Sequence, residues 1–363
     1  MLKIIIHERS YNFGMTLRKR RIILVICSLV FLAIAPFLLL YCLGYRLDRN
    51  FRIGRTGGLY VSSPISGAEI FIKENFEKTT NILQSGLFLQ NLSEGVYPIV
   101  VAKEGYWPWI KTLNIREGLV AEARAFLIPQ TPQGKILLKG LFSAVWASPY
   151  NKILLLEEEK NNGKQATFYL PDSNTFLTSF SATTTKLLSF KNEISKIFWE
   201  DGAVLLGDGE KTIRATFNLG NGTVNASVEP INAISVNHKY EKFTSQKKER
   251  LWWDDKTNEI WFEWLGDKTA IPYYLCDIKP CESTVYLISN FSFPPKNAEF
   301  FPGRRDLLIA AVQNAVFALE IDGRGGRLTR PIYKGKDPTF TVFPNEKKVY
   351  VLDEGVLIAI NLE

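Results

Sequence analysis

The sequence is poor in the residues that carry most side-chain chemistry. Two histidines, His7 and His238, and four cysteines in 363 residues leave little for histidine-based catalysis or metal binding. Ser-His-Asp and Cys-His arrangements therefore fail, and no Gly-x-Ser-x-Gly elbow surrounds a candidate serine. Gly54-Arg55-Thr56-Gly57-Gly58 and Gly323-Arg324-Gly325-Gly326-Arg327 lack the strand-loop-helix setting of a phosphate cradle and read as a linker and a hairpin loop. Asp201-Gly202 with Asp208-Gly209-Glu210 matches no calcium loop and reads as turns. No cofactor or metal signature is left. Only two methionines stand beside 13% aromatic residues and 25 glycines, a balance that favours packed β-sheet and turns over long helical bundles. With 46% hydrophobic and 22% charged residues, wholesale disorder is excluded.

A basic excess on the folded part is also missing. The net charge of +7 is concentrated at one end: residues 1–21 carry +5, residues 22–56 carry +3, and the remainder holds 34 basic against 35 acidic residues, net −1. A nucleic-acid binder would carry its excess as a face or stripe on the folded domain, so no nucleic-acid partner is expected. The excess instead brackets residues 22–45, 24 residues without a formal charge. As a helix rising about 1.5 Å per residue they reach about 36 Å, enough for a hydrocarbon core of about 30 Å. The lipid bilayer is thus the first expected partner. Pro36 is tolerated where local adjustment satisfies the freed carbonyl, and Tyr41 and Tyr45 suit the interface at the far end.

Arg18, Lys19, Arg20 and Arg21 abut the near end and act as topology determinants, pointing the N-terminus into the cytoplasm. A cleaved signal peptide is the rival, with Ala33-Ile34-Ala35 as its cleavage site, but Pro36 would then open the mature chain. An uncleaved signal anchor is favoured. Tyr41 ahead of Cys42 argues against a lipid anchor, and Met15 is an alternative start to Met1. Beyond the membrane, Cys276 and Cys281 lie close enough to close a small loop in an oxidising compartment, or stand as two free thiols at a turn. Two thiolates alone cannot complete a zinc site.

The expected organisation is a cytoplasmic tail over 1–21, a transmembrane helix over 22–45, a linker over 46–56, a β-sandwich over 57–129 and a β-propeller over 135–363. The sandwich follows from short period-2 runs separated by turns such as Ser63-Pro64-Ile65-Ser66-Gly67 and Asn91-Leu92-Ser93-Glu94-Gly95. Gly58-Leu59-Tyr60-Val61, Pro64-Ile65-Ser66-Gly67-Ala68-Glu69, Leu92-Ser93-Glu94-Gly95-Val96-Tyr97 and Lys103-Glu104-Gly105-Tyr106, in that order, resemble the PEGA domain, a small extracytoplasmic β-sandwich. An extra residue in the turn, and Thr79-Thr80-Asn81 in place of Thr-Pro, depart from its pattern. The resemblance implies a cell-envelope setting and leaves the ligand open. Trp107-Pro108-Trp109 either stacks on a carbohydrate or closes the sandwich core.

Past residue 130 a weak repeat appears. Aromatic residues Trp146, Phe198, Trp253, Phe301 and Phe343 each lead into a turn and an apolar strand, at spacings of 52, 55, 48 and 42. Such spacings suit about five four-stranded blades. Phe343-Pro344-Asn345-Glu346 and Phe301-Pro302-Gly303-Arg304 resemble the aromatic-Pro-Asp-Gly turn of TolB and WD40-like propellers. The last unit has three strands, so residues 135–139 are expected to pair with the strand near 356–362 and close the ring. The Trp252, Trp253, Trp261 and Trp264 cluster reads as blade core rather than ligand platform.

The function expected is that of a non-enzymatic envelope protein that binds a protein or a cell-surface polysaccharide. The rival is an extracytoplasmic hydrolase or sugar-modifying enzyme with paired carboxylates on the central face of the propeller.

Overall fold

The computed structural model describes residues 16–47, 53–161, 163–179, 181–231, 233–234, 240–276 and 281–362. His7, Met15 and His238 lie outside the described residues. The chain is mainly β, with one long apolar helix near its N-terminus.

That helix, α1, runs Leu17–Cys42 without interruption at Pro36, and none of its residues is buried. It starts five residues before the uncharged segment because Arg, Lys and Leu are good helix formers. The first turn holds no acidic residue, so its bases stand against the helix dipole. The helix also stops before Tyr45: Gly44 takes φ +84°, which ends the helical path after Leu43 and Gly44 donate back to Leu39 and Tyr41. The expected linker is partly a two-stranded antiparallel ribbon, Tyr45–Leu47 with Ile53–Arg55.

Two compact units divide the chain. One holds the residues up to Leu59 with Phe88–Gly95 and Asn114–Ala121; the other holds Tyr60–Leu87, Val96–Leu113 and Glu122–Glu363. The 57–129 segment contributes to both. It forms a three-stranded sheet in the order Gly86–Leu92, Gly57–Ser62, Val120–Arg124, and a four-stranded sheet in the order Asn75–Thr79, Glu69–Ile72, Gly95–Ala102, Trp109–Ile115. Trp109–Ile115 alternates strictly between buried and exposed positions, and its buried row is Trp109, Lys111, Leu113 and Ile115. A lysine occupies a core position of that pattern.

Five sheets follow in a propeller-like arrangement. The first is Phe142–Ala147, Leu154–Lys160, Gly163–Leu170 and Thr175–Phe176, with Ser189–Phe190 also on the third strand. The second is Lys196–Glu200, Ala203–Gly207, Thr212–Asn218 and Thr223–Glu229. The third is Glu241–Phe243, Glu249–Asp254, Glu259–Trp264 and Val285–Asn290; the fourth is Pro295–Phe300, Leu307–Val312, Ala315–Glu320 and Thr329–Lys334. The fifth joins Thr339–Val342, Lys348–Asp353 and Val356–Asn361 to Gly134–Lys139. Gly134–Lys139 pairs antiparallel with the strand at 356–360, so the ring closes through the strand that the repeat count called for.

Among the described residues, apolar clusters fill three of the spaces between neighbouring sheets. Val145, Leu156, Tyr350 and Leu357 join the fifth sheet to the first, and Leu155, Phe168, Leu206 and Ile213 join the first to the second. Leu251, Phe262, Leu308 and Leu319 join the third to the fourth. In the third sheet the leading aromatic is one strand out of register with the others. Trp253 opens the hairpin between the second and third strands, whereas Phe301 and Phe343 follow the innermost strand. Asp254 accepts from Lys256 and Asn258 takes φ +61°, a turn chemistry that imitates the expected one.

Candidate functional site

The alternation in the third sheet sends two tryptophans into the core and two onto the opposite face. Trp253 and Trp264 are buried, the first against the fourth sheet. Trp252 and Trp261 are half-buried, directly opposed across adjacent strands, with ring centroids 6.0 Å apart and planes 7° from parallel. The Arg250 guanidinium lies 4.8 Å from the Trp252 ring. Arg250 also pairs with Glu241 at 2.9 Å and Glu263 at 3.5 Å, and the Trp261 indole N–H donates to Glu259 Oε2 at 3.1 Å. Phe243, Val285 and Leu287 border the same face and are 39, 38 and 37% exposed. This face sets flat apolar rings beside fixed charges of both signs.

The sequence leaves Trp109 as either a carbohydrate-stacking ring or a ring of the core, and the structure buries it. It is 1% exposed, and its indole N–H donates to Glu320 Oε1 at 3.1 Å. Trp107 is half-buried beneath the Arg330 guanidinium, 5.7 Å from the ring. Arg330 in turn donates to the Pro108 carbonyl at 3.0 Å.

Trp109 belongs to a buried polar junction within the second unit, between the Trp109–Ile115 strand and loops of the fourth sheet. Lys111 Nζ lies 3.0 Å from Glu320 Oε2 and 3.8 Å from Asp322 Oδ1, and donates to the Asp322 carbonyl at 2.7 Å. Arg324 bridges Asp322 to the Glu122 carbonyl, and Arg304 joins Asp306 to the carbonyls of Arg124 and Ala125. Gly325 takes φ +63° against the Thr112 backbone, where a Cβ would stand 2.3 Å from the Thr112 carbonyl oxygen. Burial pushes the Glu320 carboxyl up to about 7, against the pull of Lys111 and the Trp109 N–H. Glu320 and Asp322 are thus engaged by Lys111 and closed off from any substrate. In the third sheet, burial also raises the Glu249 carboxyl; its Oε1 accepts from the Tyr274 hydroxyl at 3.2 Å.

Among the described residues, two cavities are candidate sites. One of about 550 Å³ is lined by Phe142, Glu158, Lys160, Phe168, Phe176 and Leu188. The other, about 370 Å³, is lined by Lys135, Asp172, Lys348 and Tyr350. Each holds a single carboxylate, so neither supplies the pair that glycoside hydrolysis uses. Among the described residues no group of three or more His, Cys, Asp or Glu side chains could hold a metal.

Cys276 and Cys281 form a disulfide with Cα atoms 5.9 Å apart, and Cys27 and Cys42 are free thiols on α1. Arg18, Lys19, Arg20 and Arg21 are exposed on the first turns of α1. The junction has a faint signature in the sequence, a lysine in phase with Trp109, Leu113 and Ile115, but its acidic partners are some 210 residues away.

No protein-family model and no curated protein matches the chain. Among solved structures it is similar to a luciferin-regenerating enzyme at 10% identity and TM-score 0.40, covering 64% of this chain and 95% of that one. It is similar to a structural genomics protein of unknown function from Bacteroides thetaiotaomicron at 10% identity and TM-score 0.36, covering 82% and 91%. A nidogen/laminin complex is similar at 10% identity and TM-score 0.30, covering 74% and 90%.

Proposed function

We propose that the chain is a single-pass envelope protein with α1 as an uncleaved signal anchor, its N-terminus cytoplasmic and its β-rich remainder outside the membrane. In this role a PEGA-like sandwich and a TolB/WD40-like propeller bind a protein or a cell-surface polymer. The contact is made through Arg250, Trp252 and Trp261. The observation that carries the binding role is that face: two stacked, half-buried indoles outside the buried core clusters, on a body whose other tryptophans are largely used in packing. A helix of 26 residues with no buried side chain supports the anchor, and the four bases at its start support the orientation. The disulfide at Cys276 and Cys281 agrees with an oxidising compartment.

The test is affinity capture from native membranes and cell-wall extract with the full chain and with Trp252→Ala/Trp261→Ala. The double variant should lose at least about tenfold of the captured partner, the effect of removing a central aromatic anchor worth 2 kcal/mol or more. Its thermal unfolding should remain a single cooperative transition, because neither ring belongs to a buried core cluster. Undiminished capture by a folded double variant would assign binding elsewhere.

A further inference from the structure

The first unit holds a feature that the binding role leaves unused. Past the end of α1, the Gly44 carbonyl accepts from the Thr56 N–H and from the Thr56 hydroxyl, each at 3.0 Å. The Thr56 carbonyl accepts from the Gly118 N–H, also at 3.0 Å. Two such backbone steps span about 10 Å. The turn Arg116-Glu117-Gly118-Leu119 therefore stands within about that distance of the helix end. A bilayer with a core of about 30 Å and a full thickness of about 40–45 Å leaves roughly 5–8 Å of headgroup on each side. Where α1 crosses a membrane, this turn is held at the headgroup layer or at its outer margin.

The groups gathered there suit that layer. Leu119 and Val120 are 50 and 54% exposed, and Leu43 is exposed beside Gly44. The Arg46 guanidinium sits 3.6 Å over the Tyr41 ring and donates to the carbonyls of Tyr41 and Tyr45 at 2.7 and 2.9 Å. Arg55 lies 5.5 Å from the Tyr45 ring and stands over Gly118, which takes φ +70°. Arg116 follows in the same turn, with Glu117 its acidic neighbour. Aromatic rings at the apolar boundary with guanidinium groups above them match the interface on both of its chemistries.

We propose that Arg46, Arg55 and Arg116, with Leu119 and Val120, form a collar that binds anionic phospholipid headgroups of the bilayer that α1 crosses. The guanidinium groups pair with lipid phosphates, and the two aliphatic side chains enter the acyl boundary. The collar rests on the membrane-anchor reading and adds a lipid preference to it.

The test uses the full chain with Cys27→Ser and Cys42→Ser, reconstituted into vesicles of phosphatidylcholine with or without phosphatidylglycerol. One preparation carries a fluorophore at Leu119→Cys and a second at Leu38→Cys, the latter within α1. Spin-labelled lipid should quench both, and the label at 119 more strongly when phosphatidylglycerol is present. The ratio of phosphatidylglycerol to phosphatidylcholine retained on the purified protein should fall about fivefold for each of Arg46→Gln, Arg55→Gln and Arg116→Gln. Quenching at 38 with none at 119 leaves the anchor standing and overturns the collar. No quenching at either position overturns both. An unchanged lipid ratio in the triple Gln variant overturns the ionic role of the arginines.

Discussion

Lys111→Met is expected to destabilise the protein by about 3–5 kcal/mol, because it strands Glu320 without its cation in a buried site, while Asp322 keeps Arg324. Chemical denaturation of the detergent-solubilised chain measures this, and a loss below about 1 kcal/mol would deny the junction its weight. The same site predicts a pH dependence. Glu320 is raised from 4.5 to about 7 in the folded chain, so between those values the folded state holds a proton that the unfolded chain has released. Stability contributed by that proton is full below about 4.5 and is lost as pH rises through 7. Comparing denaturation midpoints at pH 5 and 7.5 should show this fall in the parent and a flatter response in Glu320→Gln. At this scale the sequence was only partly readable. Trp109 and Lys111 sit in a clear period-2 strand, but what makes them a junction is a pair of acids far along the chain, which no local pattern reveals. The split of four neighbouring tryptophans into core and surface follows from alternation once the strand boundaries are known.

Among the elements, the closing strand was the most legible. A last unit with three strands and a spare apolar strand ahead of the first unit leave one economical pairing, and Gly134–Lys139 occupies it. Deleting residues 356–363 removes the partner of that strand and leaves the strand at 348–353 with an open edge. The truncated chain should lose its native fold as a unit, seen as disappearance of the cooperative thermal transition in circular dichroism. A truncation that melts like the parent would show that closure contributes little. Less legible were Tyr45–Leu47 and Ile53–Arg55, three-residue strands too short for a period, in a stretch whose Arg and Gly content reads as linker. The slip in the third sheet arose because Trp253-Asp254-Asp255 carries the same aromatic-plus-Asx turn chemistry as the innermost-strand turns. Turn residues mark where a strand ends but not which strand of the blade it is.

For the whole molecule, composition and the placement of charge were enough to separate one apolar helix from a near-neutral β-rich body. The disulfide supplies a further check on where that body resides. In a Cys27→Ser/Cys42→Ser background, the chain isolated without reductant should resist maleimide labelling, and reductant should expose two thiols at Cys276 and Cys281. Replacing both with Ser should lower stability by about 2 kcal/mol, the closure entropy of so short a loop. Immediate labelling without reductant would argue for a reducing environment and against an external location.

Ring closure also bears on the order of events in biogenesis. A chain threaded across a membrane from its N-terminus delivers residues 134–139 more than 200 residues ahead of their partner at 356–360. Until the final segment emerges, the nascent fifth blade is incomplete and its unpaired backbone is open to holdases and proteases. On the proposed topology, a chain that lacks the strand at 356–361 would present an unsatisfied strand edge to the proteases outside the membrane.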